Sequence, residues 1–353
     1  MTKIIRNTHR YLSLTMALFW LVQACSGMLL VFQRDLDDVS LPSAGMVADF
    51  SLLEESMHRL VSERPGSRIP FVYAFDTRFN SFDVYLAEPS GDYRAFRMAA
   101  DGTIVRELPS NPEVLDAGFF ELVLELHHKL WLGDLGALIL GISGILLISN
   151  ICFGLWLAWP KRGQWRIALK WPRKVSGRAG HYALHRLTGL VLAPLATLTI
   201  GAGVLLAWED TMANALGVHD ISPDIPAADG FSGEEIGLSR AVEIAKNLYP
   251  EGRVAVFTLA TPAKPYYKIR LTQPGELRQL YGKTIVFVSA LNGIVIAHQD
   301  ALTQSLSHRF VNSFYAIHSG EYLGLAGRLV SLVIGVWLLV MMVLGIRLWW
   351  LRR

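Results

Sequence analysis

Cysteine is nearly absent, with two in 353 residues. Cys25 and Cys152 both lie inside apolar runs, so neither offers a disulfide framework or half of a paired metal motif. Charged residues are scarce as well, at 18% against 52% hydrophobic, with a mean hydropathy of +0.34. That balance excludes a soluble globule of ordinary composition and places the chain in a membrane. Acids are missing from residues 161–178, where Lys161, Arg162, Arg166, Lys170, Arg173, Lys174 and Arg178 accumulate. A Gly-x-Gly-x-x-Gly between strand and helix is lacking too, so no dinucleotide-binding module is legible.

What is present is apolar length. Residues 11–32, 135–159, 187–208 and 329–351 each reach bilayer-spanning length with almost no charge. Lys and Arg close to a span are retained on the cytoplasmic side whatever the net charge, here +3. Lys3, Arg6 and Arg10, the 161–178 loop, and Arg347, Arg352 and Arg353 therefore face the cytoplasm, leaving residues 33–126 and 209–317 outside. The pI near 8.8 is a topology signal on this reading, and no nucleic-acid partner is expected. Cys25 gives the first span a lipoprotein-leader look, but Gln23 does not suit a lipobox and the apolar run continues to Phe32. It reads as a retained anchor.

The sequence repeats itself in the order span, outside domain, span. His9-Arg10 opens the first span and His185-Arg186 the third, and eighteen residues after each histidine stands a glycine, Gly27 and Gly203. Asp35 and Asp210 close these helices. From His127, Gly136, Gly144 and Gly154 follow at +9, +17 and +27; from His318, Gly327, Gly335 and Gly345 follow at the same offsets. Trp159 and Trp350 both fall at +32. Outside, each half reads as a short helix (52–63, 238–248) and then strands: 71–75, 82–87, 93–98 and 103–106 in the first, 254–259, 266–271, 284–289 and 294–297 in the second. Asp101-Gly102 and Asn292-Gly293 are hairpin turns in equivalent places. Each half thus carries a small α+β domain.

Ten histidines are present, and four hold equivalent places in the repeats: His9 with His185, His127 with His318. A pseudo-twofold axis along the membrane normal would set equivalent residues face to face, giving one pair on each side of the bilayer. Two opposed neutral imidazoles are what a six-coordinate b-type haem needs, so two haems are expected. The glycines at +9, +17 and +18 would admit the macrocycle, and Arg10, Arg186 and Arg328 would meet its propionates. The bland alternative is an interfacial histidine touching headgroups, which the fourfold register argues against. A histidine-bound zinc or copper ion ranks lower, because two imidazoles leave a tetrahedral site incomplete. His128 and His181 lie next to proposed ligands, but their repeat equivalents are Ser319 and Ile5. His58, His219, His298 and His308 have no repeat partner and read as loop or surface residues, with His308 near enough in sequence to reach the outer pair or a substrate. Trp20, Trp156, Trp159, Trp337, Trp349 and Trp350 read as packing or interfacial-belt residues. Tyr73, Phe75, Tyr266 and Tyr267 read as the packing of small cores.

The His-Arg starts of spans one and three, with the Leu-His-His-Lys-Leu and Ile-His-Ser-Gly segments and their spaced glycines, resemble the PepSY-associated transmembrane family, also called PiuB-like iron-regulated membrane proteins. The resemblance covers nearly the whole chain. It implies an α-helical four-span membrane bundle with periplasmic α+β PepSY-like domains and an internal duplication. The expected divisions are 1–32 (N-terminus and first span), 33–126 (first PepSY-like domain), 127–160 (second span), 161–182 (basic cytoplasmic loop), 183–208 (third span), 209–317 (second PepSY-like domain) and 318–353 (fourth span and tail). Members of the FoxB type reduce ferric siderophores, and the family histidines fall on His9, His127, His185 and His318.

The resulting expectation is a reductase of the bacterial inner membrane, with both termini cytoplasmic. It would take electrons from a separate donor, a quinol or another reductase, because residues 161–183 are too short for a flavin or nicotinamide domain. Electrons would pass from the His9/His185 haem to the His127/His318 haem and on to a ferric siderophore, releasing Fe(II). At 1.5 Å per residue the two histidine levels stand roughly 30 Å or more apart. The alternatives are a non-enzymatic membrane protein that binds or inhibits through its PepSY modules, and a transporter component. Few buried charges argue against the transporter. Asn150, the main uncharged polar residue deep in a span, is expected to find a backbone partner.

Overall fold

A backbone surrounded by lipid must satisfy its own N–H and C=O groups, so apolar runs of this length become helices. The computed structural model describes residues 2–38, 47–75, 81–109, 118–223 and 235–352. In chain order the first half runs α1 (Thr2–Val31), α2 (Gln33–Asp38), α3 (Phe50–Ser62), β1 (Arg68–Phe75), β2 (Ser81–Ala87), β3 (Tyr93–Met98), β4 (Ile104–Pro109), α4 (Phe119–Lys129) and α5 (Gly133–Ala158). After the short α6 (Trp165–Ala168), the second half repeats the plan with α7 (Gly177–Leu206), α8 (Glu209–Ala215), α9 (Gly237–Leu248), β5 (Arg253–Thr258), β6 (Tyr266–Thr272), β7 (Thr284–Ser289), β8 (Val295–Gln299), α10 (Leu306–Ser319) and α11 (Gly324–Trp350). Two compact units result. One comprises Met1–Phe32, Val123–Met212 and Ser313–Arg353, the other Gln33–Leu122 and Ala213–Asn312.

In the helical unit α1, α5, α7 and the helix ending at Trp350 are long and apolar enough to cross a bilayer, four among the described residues. The protein is a multi-pass membrane protein. Each spanning helix packs on two others in the ring α1, α5, α7, α11, so α1 lies diagonal to its repeat equivalent α7, and α5 to α11. Ile151, Ala193, Ala196, Ile334 and Trp337 form the buried centre.

His127 and His318 do not begin the spans, as the sequence had suggested for 127–160 and 318–353. They end separate helices, α4 and α10. After α4 the chain turns through positive φ at Leu130 (53°), Trp131 (57°) and Gly133 (56°), and after α10 through Gly320 (79°) and Gly324 (57°). A right-handed helix cannot continue through such residues, so each histidine sits on a short helix that a tight turn joins to the span.

In the second unit the two strand sets form one antiparallel sheet, in the order β4-β3-β2-β1-β5-β6-β7-β8. The halves join at β1 and β5, where Val72 pairs with Phe257 and Tyr73 with Val256. Asp101-Gly102 and Asn292-Gly293 make the expected turns, with φ of 81° and 71° at the glycines. Asp49 caps α3 by accepting from the N–H groups of Ser51 and Leu52, satisfying donors a first turn leaves open. α3 inserts Leu53, Met57 and Leu60, and α9 inserts Leu238, Ala241, Val242 and Ala245, into one core with Val72, Val84, Phe96, Phe257 and Ile269. The spacing is that of one helix face against one sheet face.

Candidate functional site

The four repeat-related histidines meet in two pairs within the helical unit. The rings of His9 and His185 have centroids 6.4 Å apart and planes at 67°. Those of His127 and His318 stand 6.1 Å apart with planes at 25°. The diagonal placement of equivalent helices brings each pair together across the ring.

In three of the four rings the outer nitrogen fixes the tautomer. His9 Nδ1–H donates to the Asn150 carbonyl at 3.0 Å, and His318 Nδ1–H to the Thr199 carbonyl at 3.0 Å. A carbonyl only accepts, so the proton sits on Nδ1 and the lone pair on Nε2. His127 Nδ1 lies 2.9 Å from Ser26 Oγ. That hydroxyl gives its own proton to the Gln23 carbonyl at 3.0 Å, so it accepts from His127 and selects the same tautomer. His185 differs, with a buried Nδ1 that has no partner.

Glycines seat the rings. Gly154, Gly203 and Gly27 stand four residues after Asn150, Thr199 and Gln23. A Cβ there would lie 3.0 Å from His9 Cε1, 2.6 Å from His318 Cε1 and 2.9 Å from His127 Cε1, respectively. The missing side chain lets an imidazole lie on the helix and reach the carbonyl one turn back, directly or through Ser26. A Cβ on Gly345, the repeat equivalent of Gly154, meets nothing within 4 Å. The fourth seat is thus unformed at the one histidine whose Nδ1 is unpartnered.

The glycines at +9 and +17, read as room for a macrocycle, serve protein packing instead. Gly136 and Gly327 take the close approach of the Lys129 and Gly320 carbonyls in the turns that follow α4 and α10, while Gly144 meets Val204 and Gly335 meets Met28 on neighbouring helices. Among the glycines singled out for space, only the +18 pair touches histidines, and Gly154, at +27, touches a third.

Arg186 Nε donates to the Ala158 carbonyl at 2.9 Å, and Arg328 donates twice to the Val31 carbonyl, at 3.0 and 2.8 Å, so each caps the C-terminus of a neighbouring span, where a cation opposes the helix dipole. Arg10 bonds Asn7 Oδ1 at 3.3 Å and lies over the Tyr11 ring, with Nε buried and unpartnered. Asn150 gives its amide to Ser13 Oγ at 2.8 Å.

The neighbouring histidines are otherwise engaged or exposed. His181 donates through Nδ1 to the Gly177 carbonyl and accepts from Arg347 at Nε2. His128 is exposed. In the other unit His308 bonds Ser305 and the His219 carbonyl, and His298 bonds the Tyr249 hydroxyl. Ser26 and Thr199 were not singled out from sequence. Their signal was the position of the +18 glycines, read one turn back.

Chemically, each pair offers two imidazole rings whose centres stand close enough for both to reach one metal. Among the described residues no three His, Cys, Asp or Glu side chains converge, so a four-ligand protein site for zinc is not provided. The sequence has a counterpart among known families: the family model for the PepSY-associated TM region matches residues 6–352. The chain belongs to the PepSY-associated transmembrane family. The matched range includes His9, His127, His185 and His318 and the strands between the spans. Comparison with curated proteins gives no match.

Proposed function

We propose that this PepSY-TM protein is a two-haem b reductase of the inner membrane, passing electrons from a separate donor across the bilayer to a periplasmic ferric siderophore and releasing Fe(II). The observation that carries the reading is the two facing imidazole pairs, in which three of the four rings have Nδ1 engaged on a neighbouring helix. A metal held by one nitrogen of each ring at about 2 Å, with about 1.1 Å from nitrogen to ring centre, would ask for centroids about 6 Å apart. The pairs, at 6.4 and 6.1 Å, fit that span. A b haem bound at each pair would supply one-electron chemistry at iron.

The chain's own residues do the rest. Asn150, Thr199 and Ser26 hold three imidazoles in the tautomer that leaves Nε2 unprotonated, as ligand histidines require. Gly27, Gly154 and Gly203 set ring depth against the helices. The apolar centre of the bundle would give a bound haem a low-polarity setting, where the histidine ligands and burial would set its potential. Arg10, Arg186 and Arg328 would be the cations for propionates, Arg186 and Arg328 while also bonded to helix-end carbonyls. The acid-free loop with Lys161 and Arg178 supports a topology with both termini cytoplasmic and the sheet-bearing unit periplasmic. Reduction weakens the chelate, since hard oxygen ligands hold Fe(III) better than the softer Fe(II).

Proteoliposomes loaded with reductant and given an external ferric siderophore test this, with Fe(II) captured by a ferrous-specific dye. Dye coloration that depends on His127 and His185 is expected. Liposomes that retain the protein but never release Fe(II) would overturn the reductase reading in favour of a non-enzymatic binding protein.

A further inference from the structure

The eight-stranded sheet has two faces, and α3 and α9 cover one of them. Alternation along the strands sends the intervening residues to the other. There one cross-strand row runs Arg97, Asp83, Tyr73, Val256, Arg270, through the pairing of β3, β2, β1, β5 and β6. Aromatic rings gather about Tyr73: Phe71 at 5.2 Å, Tyr85 at 5.6 Å and Tyr281 at 5.4 Å. The side chain of Phe75, at the end of β1, lies outside the described ones. Guanidiniums rim the cluster. Arg34 and Arg278 stand 6.0 and 5.3 Å from the Tyr281 ring centre, and with Arg270 both lie close enough to act on the Tyr73 hydroxyl.

The two acids that face this cluster in the sheet unit, Asp83 and Asp220, both have cationic partners. Asp83 is held by Arg97 at 2.6 and 2.9 Å. Asp220 pairs with Arg270 and lies 3.7 Å from Lys283. Burial raises the Tyr73 and Tyr85 phenols above the usual tyrosine value, so both remain hydrogen-bond donors. The side chains are half-buried, leaving rings and cations partly open.

We propose that this face binds an anionic, aryl-bearing ferric chelate of the catecholate class, with Arg34, Arg270 and Arg278 donating to its oxygens and Tyr73, Tyr85 and Tyr281 contacting its rings. Catecholates are dianions, so their ferric complex is an anion that matches the guanidiniums, and their rings match the tyrosines. Hydroxamates leave ferric iron neutral and bring no rings, so the same face discriminates against them. The assignment rests on the reductase reading for treating the ligand as substrate, while the surface chemistry stands by itself.

The test uses the full chain in detergent and a redox-inert probe, the gallium(III) complex of 2,3-dihydroxybenzoate, titrated calorimetrically beside the neutral gallium(III) acetohydroxamate complex. Saturable binding of the catecholate complex is expected, weakened about tenfold in Arg278→Gln and in Arg34→Gln, weakened by salt, and retained better in Arg278→Lys. The hydroxamate complex should bind at least about tenfold more weakly. Equal binding of both complexes, catecholate binding indifferent to the arginine variants in protein of unchanged unfolding temperature, or equal binding of inorganic phosphate would overturn the proposal. Gallium is not reduced, so unpigmented protein that binds would sink the reductase reading alone, and pigmented protein that does not bind would sink this one alone.

Discussion

Replacing Gly203 with alanine tests the imidazole seats directly. The new Cβ would stand 2.6 Å from Cε1 and Nδ1 of His318. An ordinary carbon contact begins near 3.4 Å, so the ring must retreat by about 0.8 Å. The bond from His318 Nδ1 to the Thr199 carbonyl, now 3.0 Å, would then leave hydrogen-bonding range. An unsatisfied buried donor costs about 1–3 kcal/mol and overpacking a similar amount, while alanine returns about 1 kcal/mol of helix propensity. The net expectation is a loss of about 1–5 kcal/mol. Gly27→Ala, at 2.9 Å from His127 Cε1, should lose less. Gly345→Ala, with nothing within 4 Å, should lose nothing. Thermal unfolding of the three purified variants in one detergent gives the ranking. A Gly203→Ala protein that unfolds where Gly345→Ala does would refute the seat.

Arg328→Ala removes two charge-assisted bonds to the Val31 carbonyl and should cost about 1.5–3 kcal/mol in unfolding, of which Arg328→Lys restores a part. His181→Ala should leave haem per chain unchanged, because both ring nitrogens already have protein partners, whereas His185→Ala should lower it. Lys268, in the sheet, is pushed down to about 8 by burial and then by Arg270, with Asp220 opposing. Between about pH 8 and its ordinary value near 10.5 the folded chain binds fewer protons than the unfolded one, so stability from this site is low below the window and rises through it. Lys268→Met should therefore unfold later than the parent at pH 7, by a margin that shrinks toward about pH 10. A constant margin would contradict the assignment.

Much of the fold was legible because membrane helices and half-buried strands write strong periods. The spans followed from apolar length, and the hairpins from Asp101-Gly102 and Asn292-Gly293. The repeat pointed to His9, His127, His185 and His318, and the structure brings these together in two pairs. Less visible were features that depend on tertiary approach. Leu130 and Trp131 are not residues that announce a left-handed turn, so the break before α5 was hidden inside an apolar stretch. The union of both strand sets through β1 and β5 is a pairing between distant segments that local pattern does not encode. The +9 and +17 glycines looked like space for a cofactor, yet their neighbours are a carbonyl, a valine and a methionine. Ser26 and Thr199 were missed because their contribution lies in one hydroxyl and one backbone carbonyl.

The central claim is that the two histidine pairs each hold a haem. A reduced-minus-oxidised spectrum of protein expressed with ample haem, with pyridine haemochrome quantification, measures this directly. About two b-type haems per chain are expected, falling to about one in His318→Ala and in His9→Ala. Protein that is folded yet colourless, or whose haem content is indifferent to both substitutions, would contradict it.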